Sequence, residues 1–227
     1  IWRFGMVPAR LTDPDRPIRW TSQYLEIHPF WGPRLVRRVR EAPPAAVPVW
    51  ATLLTSMFLH GGWMHFLGNM LFLYIFGDNV EDRLGHAGYL AFYLATGVAA
   101  GLGHWITNIH STVPTIGASG AIAGVMGAYF LLYPRAMILT LVPLFYFAHV
   151  VALPAVVFLG LWFVLQLLHG TMALTAMATA GTAWWAHVAG FAVGAGLIWL
   201  LRDAGLLRPP LARAIRASRA FSHYRVR

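Results

Sequence analysis

The sequence contains no cysteine among its 227 residues, which excludes disulfides, thiolate metal ligands and a cysteine nucleophile. It also contains no lysine, so the formal net charge of +9 comes from 17 arginines set against eight acidic residues. Charged residues make up only 11% of the chain, whereas soluble domains carry roughly 25%. Hydrophobic residues make up 58%, and the mean hydropathy is +0.60. The composition therefore excludes an ordinary water-soluble domain.

The few charges are segregated and leave three long stretches without Asp, Glu or Arg, at 42–77, 84–134 and 136–201. A transmembrane helix needs about 20 mostly apolar residues, so these stretches have room for one, two and two spans. The sequence thus predicts an all-α, polytopic membrane helical bundle with a linker at 170–182. The five predicted spans lie near 55–77, 87–106, 117–134, 152–169 and 183–201.

The two ends of the chain are polar and rich in arginine. Residues 1–50 are also rich in proline, which prevents a long helix, and we predict an extramembrane segment there. Within it, residues 35–40 are expected to form a short amphipathic piece on the membrane surface. Because the arginines flank apolar stretches, the expected partners are anionic lipid headgroups rather than nucleic acid. The basic tail, 203–227, carries several arginines that could hold it on anionic lipid: Arg208, Arg213, Arg216 and Arg219. An unstructured tail is the alternative.

The number of spans between charge clusters gives a topology. Arg83, Arg135 and the tail should share one side of the membrane, and residues 1–50 should lie on the other. The positive-inside rule hardly separates the two sides, since both are rich in arginine. Arginines that begin directly at the end of the last span favour a cytoplasmic tail.

Four polar residues are expected to share one shallow layer of the membrane, near residues 1–50. His65 and Asn69 are four residues apart and so lie on one helix face. Ser119 begins the third span, and His187 lies near the start of the fifth. Polar residues inside a membrane are costly and often functional. Their common depth predicts a functional site.

A serine becomes a strong nucleophile when a neighbouring base takes its proton, and a buried neutral His187 would serve Ser119 as that base. Small residues let transmembrane helices approach closely, and both helices carry them: Gly120, Gly124, Gly190 and Gly194. No Asp or Glu lies in the layer, so the prediction is a dyad. The Ser119 N–H with the His65 and Asn69 side chains would then surround a developing oxyanion.

Other interpretations of these residues stay open at this point. Ser119, His187, His65 and Asn69 each fit ordinary helix packing or interhelical hydrogen bonding. Several membrane histidines also suggest haem or metal ligation, although their spacings show no matched facing positions, and no cofactor is predicted. A small transporter is a third alternative, but the helix after Ser119 is small and apolar rather than a polar path.

Four motifs occur together in order: HGGWMH at 60–65 followed by Asn69, VEDRLG at 80–85, GASGA at 117–121 and AHVAGFAVG at 186–194. Over residues 50–202 the chain resembles the rhomboid intramembrane serine proteases of bacterial type. The resemblance implies a rhomboid-like membrane domain at 51–202 and a Ser119–His187 dyad. His65, Asn69 and Gly117 would lie at the oxyanion and substrate, and the expected location is a bacterial plasma membrane.

The resemblance also implies cleavage of the transmembrane segments of other proteins near their outer ends. Residues 1–50 would be the outer loop of such an enzyme. The family core has six spans, and the first is absent here, as in a truncated chain. Some members place an aromatic residue four positions after the serine, where this chain has Ala123, so Trp184 or Trp185 is expected to orient His187. The alternative within the family is an inactive member that binds client helices.

Overall fold

The computed structural model describes residues 1–144, 147–175 and 182–210, and most of this part is helical. Single 3₁₀ turns, Val49–Ala51 and Ser56–Phe58, flank the second helix. The predicted all-α membrane bundle is confirmed as the fold class. The helices are α1 (Pro8–Thr12), α2 (Thr52–Thr55), α3 (Trp63–Leu84), α4 (His86–Thr107), α5 (Ser119–Leu132), α6 (Ala155–Thr175) and α7 (Trp184–Asp203).

Three of these helices, α4, α6 and α7, are long and apolar enough to cross a membrane. Helix α3 has 22 residues but carries a charged run in its last two turns, and α5 is shorter, with 14 residues. Residues 170–175, predicted as linker, instead continue α6, and residues 176–181 of that linker lie outside the described part. The count of five spans stays a prediction.

The first predicted span begins and ends later than the sequence suggested. Helix α3 starts at Trp63 rather than near 55, since the adjacent glycines Gly61 and Gly62 disfavour helix and separate it from the short helical turns before them. It continues past the charged residues to Leu84. Gly85, with φ of +74°, then ends the helix in the left-handed region that glycine adopts readily.

Two antiparallel hairpins were not predicted. The first pairs β1 (Arg19–His28) with β2 (Gly32–Glu41), so residues 35–40 form a strand and the expected amphipathic surface piece is wrong as a local structure. Its β-branched Val36 and Val39 lie opposite Tyr24 and Thr21, a pairing that favours strand. The second hairpin precedes α6 and pairs β3 (Met137–Leu144) with β4 (Phe147–Pro154). The first residues of the predicted fourth span, 152–154, therefore belong to a strand.

Helix α5 lies at the centre of the bundle and packs against α3, α4, α6 and α7. Every residue from Gly120 to Tyr129 is buried. The closest approach is to α7, where a Cβ added at Gly190 would overlap the carbonyl of Gly120, and one added at Gly194 would overlap Gly124. Gly190 and Gly194 thus let α7 approach the backbone of α5, whereas a Cβ added at Gly120 or Gly124 would overlap Ala100 or Thr96 of α4.

The N-terminal segment covers one end of the bundle. Met6 forms a β-bridge with Thr115, and the Ala9 N–H donates to the Ser111 carbonyl at 2.9 Å. Both partners lie in the turn between α4 and α5, directly before Ser119.

The other end is closed by Arg83 and Arg208, whose backbones are joined by the Arg208 N–H donating to the Arg83 carbonyl at 2.8 Å. The tail arginines beyond residue 210, Arg213, Arg216 and Arg219, lie outside the described residues.

Candidate active site

Ser119 and His187 meet at the end of the bundle covered by the N-terminal segment. Ser119 is the first residue of α5, and His187 is the fourth residue of α7. The Ser119 Oγ lies 2.8 Å from His187 Nε2, within hydrogen-bond distance. His187 is only 8% exposed. The close contact of α5 with α7 through their glycines is what allows side chains 68 positions apart to touch.

The second imidazole nitrogen of His187 has a partner that the sequence analysis missed. Its Nδ1 lies 2.8 Å from Oε1 of Gln166, which comes from α6 and is only 6% exposed. The available signal was a long polar side chain inside an otherwise apolar span. Its depth relative to His187 was not evident, because it depends on how α6 packs.

Aromatic rings also contact His187, in a different arrangement from the one expected. Trp162 of α6 lies with its ring centroid 5.8 Å from that of His187, at an interplanar angle of 36°. Trp184 approaches edge-on at 6.5 Å and 88°. Trp185 points to α6 instead, where its Nε1 donates to the Gly170 carbonyl at 3.1 Å. Of the two expected tryptophans, one contacts the histidine, and Trp162 takes the more parallel position.

His65 and Asn69 of α3 lie beside Gly117, two residues before the serine. A Cβ added at Gly117 would lie 2.7 Å from His65 Nε2 and 3.7 Å from Asn69 Nδ2. Asn69 is 7% exposed, and its Nδ2 has no hydrogen-bond partner within the described part of the chain. The Gly61 N–H donates to His65 Nδ1 at 3.3 Å, so neutral His65 carries its hydrogen on Nε2. Both residues therefore present N–H donors toward the segment before Ser119.

Gly117 contributes to the site through its backbone conformation rather than through its N–H. Its N–H donates to the Ser56 carbonyl at 2.9 Å, so this N–H is already used. Its φ of +120° is a conformation that residues with a side chain rarely adopt. The absence of a Cβ leaves space for His65 and Asn69 to approach. Gly117 therefore shapes the site by its backbone and lines the cavity beside Ser119, and its place at the oxyanion and substrate stays a prediction.

A cavity of about 600 Å³ adjoins the serine. Its lining combines residues of the N-terminal segment, α3, α4, α5 and the start of α7, among them Met6, His65, His104 and Ser119. Within the described residues, no group of three or more His, Cys, Asp or Glu side chains is placed to hold a metal ion. The cavity gives the polar groups access to small molecules and water.

His60 packs against the His65 side of this site. It precedes α3, and its ring lies edge-on to that of His65 with centroids 5.3 Å apart. Burial, and secondarily the nearby His65, lower the pKa of His60. His60 is therefore neutral at pH 7 and packs against His65 without adding a positive charge.

This arrangement has the parts that acyl transfer needs. The Ser119 hydroxyl has a base at hydrogen-bond distance, and Ser119 is at a helix N-terminus, where the backbone N–H lacks an intrahelical acceptor. Two side-chain donors lie close by. A nucleophile, a base and donors for a developing negative charge are the set that cleavage of an amide requires.

In comparison with known proteins, the part of the chain that matches a family model is the part that contains Ser119 and His187. The family model described as the Rhomboid domain matches residues 48–204. The Rhomboid-like protein 11, chloroplastic, of Arabidopsis thaliana is 43% identical over 77 residues, covering 34% of this chain and 27% of that protein. The Rhomboid protease GluP of Bacillus subtilis (strain 168) is 39% identical over 79 residues, covering 35% and 15%.

A longer match is found to the Presenilin-associated rhomboid-like protein, mitochondrial, of Homo sapiens, with 28% identity over 127 residues. It covers 55% of this chain and 34% of the human protein. The chain thus spans well under half the length of these curated relatives. The relatives come from a bacterium, a chloroplast and a mitochondrion.

Proposed function

This chain belongs to the rhomboid family and is a multi-pass membrane protein, and from that premise we propose that it is an intramembrane serine endopeptidase. Its reaction would be the hydrolysis of a peptide bond in the transmembrane segment of another protein. The observation that carries this proposal is the 2.8 Å contact between Ser119 Oγ and the buried His187 Nε2. An inactive, client-binding member has no use for a nucleophile and base held together, so the contact favours the protease.

In the proposed reaction, His187 Nε2 takes the proton of Ser119 as Oγ attacks the substrate carbonyl carbon. The tetrahedral intermediate collapses when the C–N bond breaks, and His187 returns the proton to the leaving amine. Water, deprotonated by the same nitrogen, then hydrolyses the acyl-serine ester. The cavity of about 600 Å³ beside Ser119 gives water a route to that ester.

The oxyanion would be stabilised by donors from two helices. The Ser119 backbone N–H, the Asn69 amide and the His65 Nε2–H all lie around the Ser119 end of α5. The unused Asn69 Nδ2 supports this role, because a buried donor without a partner costs free energy unless a ligand meets it. Removing one such donor typically costs about 10²–10³ in rate.

The position of the site supports a class of substrate. Ser119 and His187 belong to helices of a membrane bundle, which fits a substrate that itself lies in the membrane. A helical substrate has its carbonyls blocked by its own hydrogen bonds, and it has to unwind locally before attack. We propose transmembrane helices with helix-destabilising residues at the cleaved bond as the substrate class.

Membrane lipids are the other proposed partner. Exposed apolar side chains cover the outer face of α6, and contact with acyl chains removes them from water. They include Leu161, Val164, Leu165 and Leu168. The bacterial plasma membrane stays a prediction, since the relatives include chloroplast and mitochondrial proteins.

Labelling with a fluorescent fluorophosphonate tests the nucleophile directly. We expect the wild-type protein in detergent to become covalently labelled, and Ser119→Ala to remain unlabelled. Ser22→Ala, which removes a hydroxyl from the outer hairpin, should label as wild type does. His187→Ala should lose cleavage of a single-span model substrate. Equal labelling of wild type and Ser119→Ala would remove the proposed function.

A further inference from the structure

We propose that Gln166 is the positioning residue of the catalytic base, fixing both the tautomer and the orientation of His187. This inference rests on the proposed protease function and adds a third side chain to the Ser119–His187 pair. The contact that carries it is the 2.8 Å approach of Gln166 Oε1 to His187 Nδ1.

The chemistry of this contact determines which nitrogen carries the hydrogen. An amide oxygen only accepts hydrogen bonds, so the Nδ1–H of His187 donates to Gln166 Oε1. In neutral imidazole the other nitrogen is then an acceptor. His187 Nε2 therefore presents its lone pair to the Ser119 hydroxyl, 2.8 Å away, as a general base must.

Burial makes the tautomer depend on this one side chain. Gln166 and His187 are 6% and 8% exposed, so bulk water does not replace a lost partner on Nδ1. Without Gln166, His187 would bury an unpaired Nδ1–H or shift the hydrogen to Nε2. The second form points a hydrogen at Ser119 and cannot take its proton.

One face of α6 contacts the start of α7 at three positions, and Gln166 is the middle one. Trp162, four residues before Gln166, lies against the His187 ring. Four residues after Gln166, the Gly170 carbonyl accepts from Trp185 Nε1. Residues spaced by four lie on one helix face. The imidazole is thus fixed by a ring contact and by a hydrogen bond from the same helix.

Gln166 acts without a charge, unlike the carboxylate of a Ser-His-Asp triad. The titratable groups around His187 in the described residues are His65 of α3 and His104 of α4. No acidic side chain is among them. A neutral acceptor orients His187 and accepts from it when it becomes imidazolium, but it adds no negative charge. The pH profile of cleavage should therefore respond when a carboxylate replaces this amide.

The test compares Gln166→Met with Gln166→Glu in the full chain. Gln166→Met fills similar volume but accepts no strong hydrogen bond, and we expect kcat to fall about 10- to 100-fold. Gln166→Glu restores an acceptor and should recover cleavage to within about tenfold of wild type. The carboxylate also favours the imidazolium, so the acidic limb of its kcat/KM profile should move to higher pH.

A spectroscopic measurement separates positioning from a purely structural role. Nitrogen-15 NMR of labelled histidine, with His187 assigned by comparison with His187→Ala, should show hydrogen on Nδ1 in wild type and a tautomer mixture in Gln166→Met. Leu165→Met places the same residue at a neighbouring, exposed position of α6 and should match wild type in every measurement. If Gln166→Met fails to fold, Gln166→Glu still tests the proposal through its pH profile.

The outcomes distinguish this inference from the proposed function. If wild type neither cleaves nor labels at Ser119, the protease proposal fails. If wild type cleaves and Gln166→Met keeps the wild-type rate, pH profile and tautomer, only the role of Gln166 is overturned. An unshifted profile in a folded, active Gln166→Glu would overturn it as well.

Discussion

At the scale of single residues, a substitution of Asn69 is expected to lower the activity while leaving the stability nearly unchanged. Its Nδ2 is buried without a partner, so truncating the amide breaks no hydrogen bond within the described part of the chain. We expect Asn69→Ala to lower kcat/KM about 10²–10³-fold, because the oxyanion loses a donor. The free energy of unfolding should change by no more than about 1 kcal/mol. Cleavage kinetics and denaturant unfolding in detergent measure the two quantities.

The matched control for this variant is Asn79→Ala, which makes the same change at an exposed position of the same helix. It should leave cleavage at the wild-type rate. An Asn69→Ala enzyme that cleaves within twofold of wild type would show that Asn69 is not an oxyanion donor.

At the scale of elements, the contact between α5 and α7 depends on glycine. A Cβ at Gly190 would overlap the backbone carbonyl of Gly120, and backbone yields less readily than a side chain. We expect Gly190→Ala to lower the free energy of unfolding by about 1–3 kcal/mol, since overpacking forces the helices apart. Cleavage should fall as well, because Ser119 and His187 come from these two helices. Reversible unfolding in mixed micelles measures the change.

Gly196, on the same helix, provides the comparison. A Cβ there meets no heavy atom within 4 Å, so Gly196→Ala should be neutral or stabilise α7 slightly through helix propensity. Equal unfolding free energies for Gly190→Ala and Gly196→Ala would refute the close-packing explanation.

At the scale of the whole molecule, the two ends of the bundle are expected on opposite sides of the membrane. Met6 and Thr115 pair at one end, and Arg83 and Arg208 pair at the other. Single cysteines at Ser22→Cys and Asp203→Cys report the two sides. With a cytoplasmic C-terminus, an impermeant maleimide should label Ser22→Cys in intact cells and Asp203→Cys only after permeabilisation.

Because the chain has no cysteine, the wild-type protein is a clean blank for this labelling. Labelling of both positions from the same side would refute an odd number of crossings between them. Labelling of Asp203→Cys alone in intact cells would reverse the orientation and place Ser119 toward the cytoplasm.

Much of the architecture could be predicted from the sequence because membrane insertion follows local composition. Apolar runs of sufficient length predicted α4, α6 and α7 to within a few residues, except at the end of α6. Their order also predicted that Ser119, His187, His65 and Asn69 share one depth, since depth follows from counting residues along each helix. The hairpins were missed because strand formation depends on the pairing partner more than on local propensity.

The sequence by itself determined a membrane bundle with a serine, two histidines and an asparagine near one face. Only the tertiary structure decided what each of them touches. Gln166 and Trp162 reach His187 through the packing of α6 on α7, and the Gly117 N–H is taken by Ser56 through a loop contact. The physical reason is that depth depends on spacing along one chain segment, whereas contact depends on how separate helices rotate and approach.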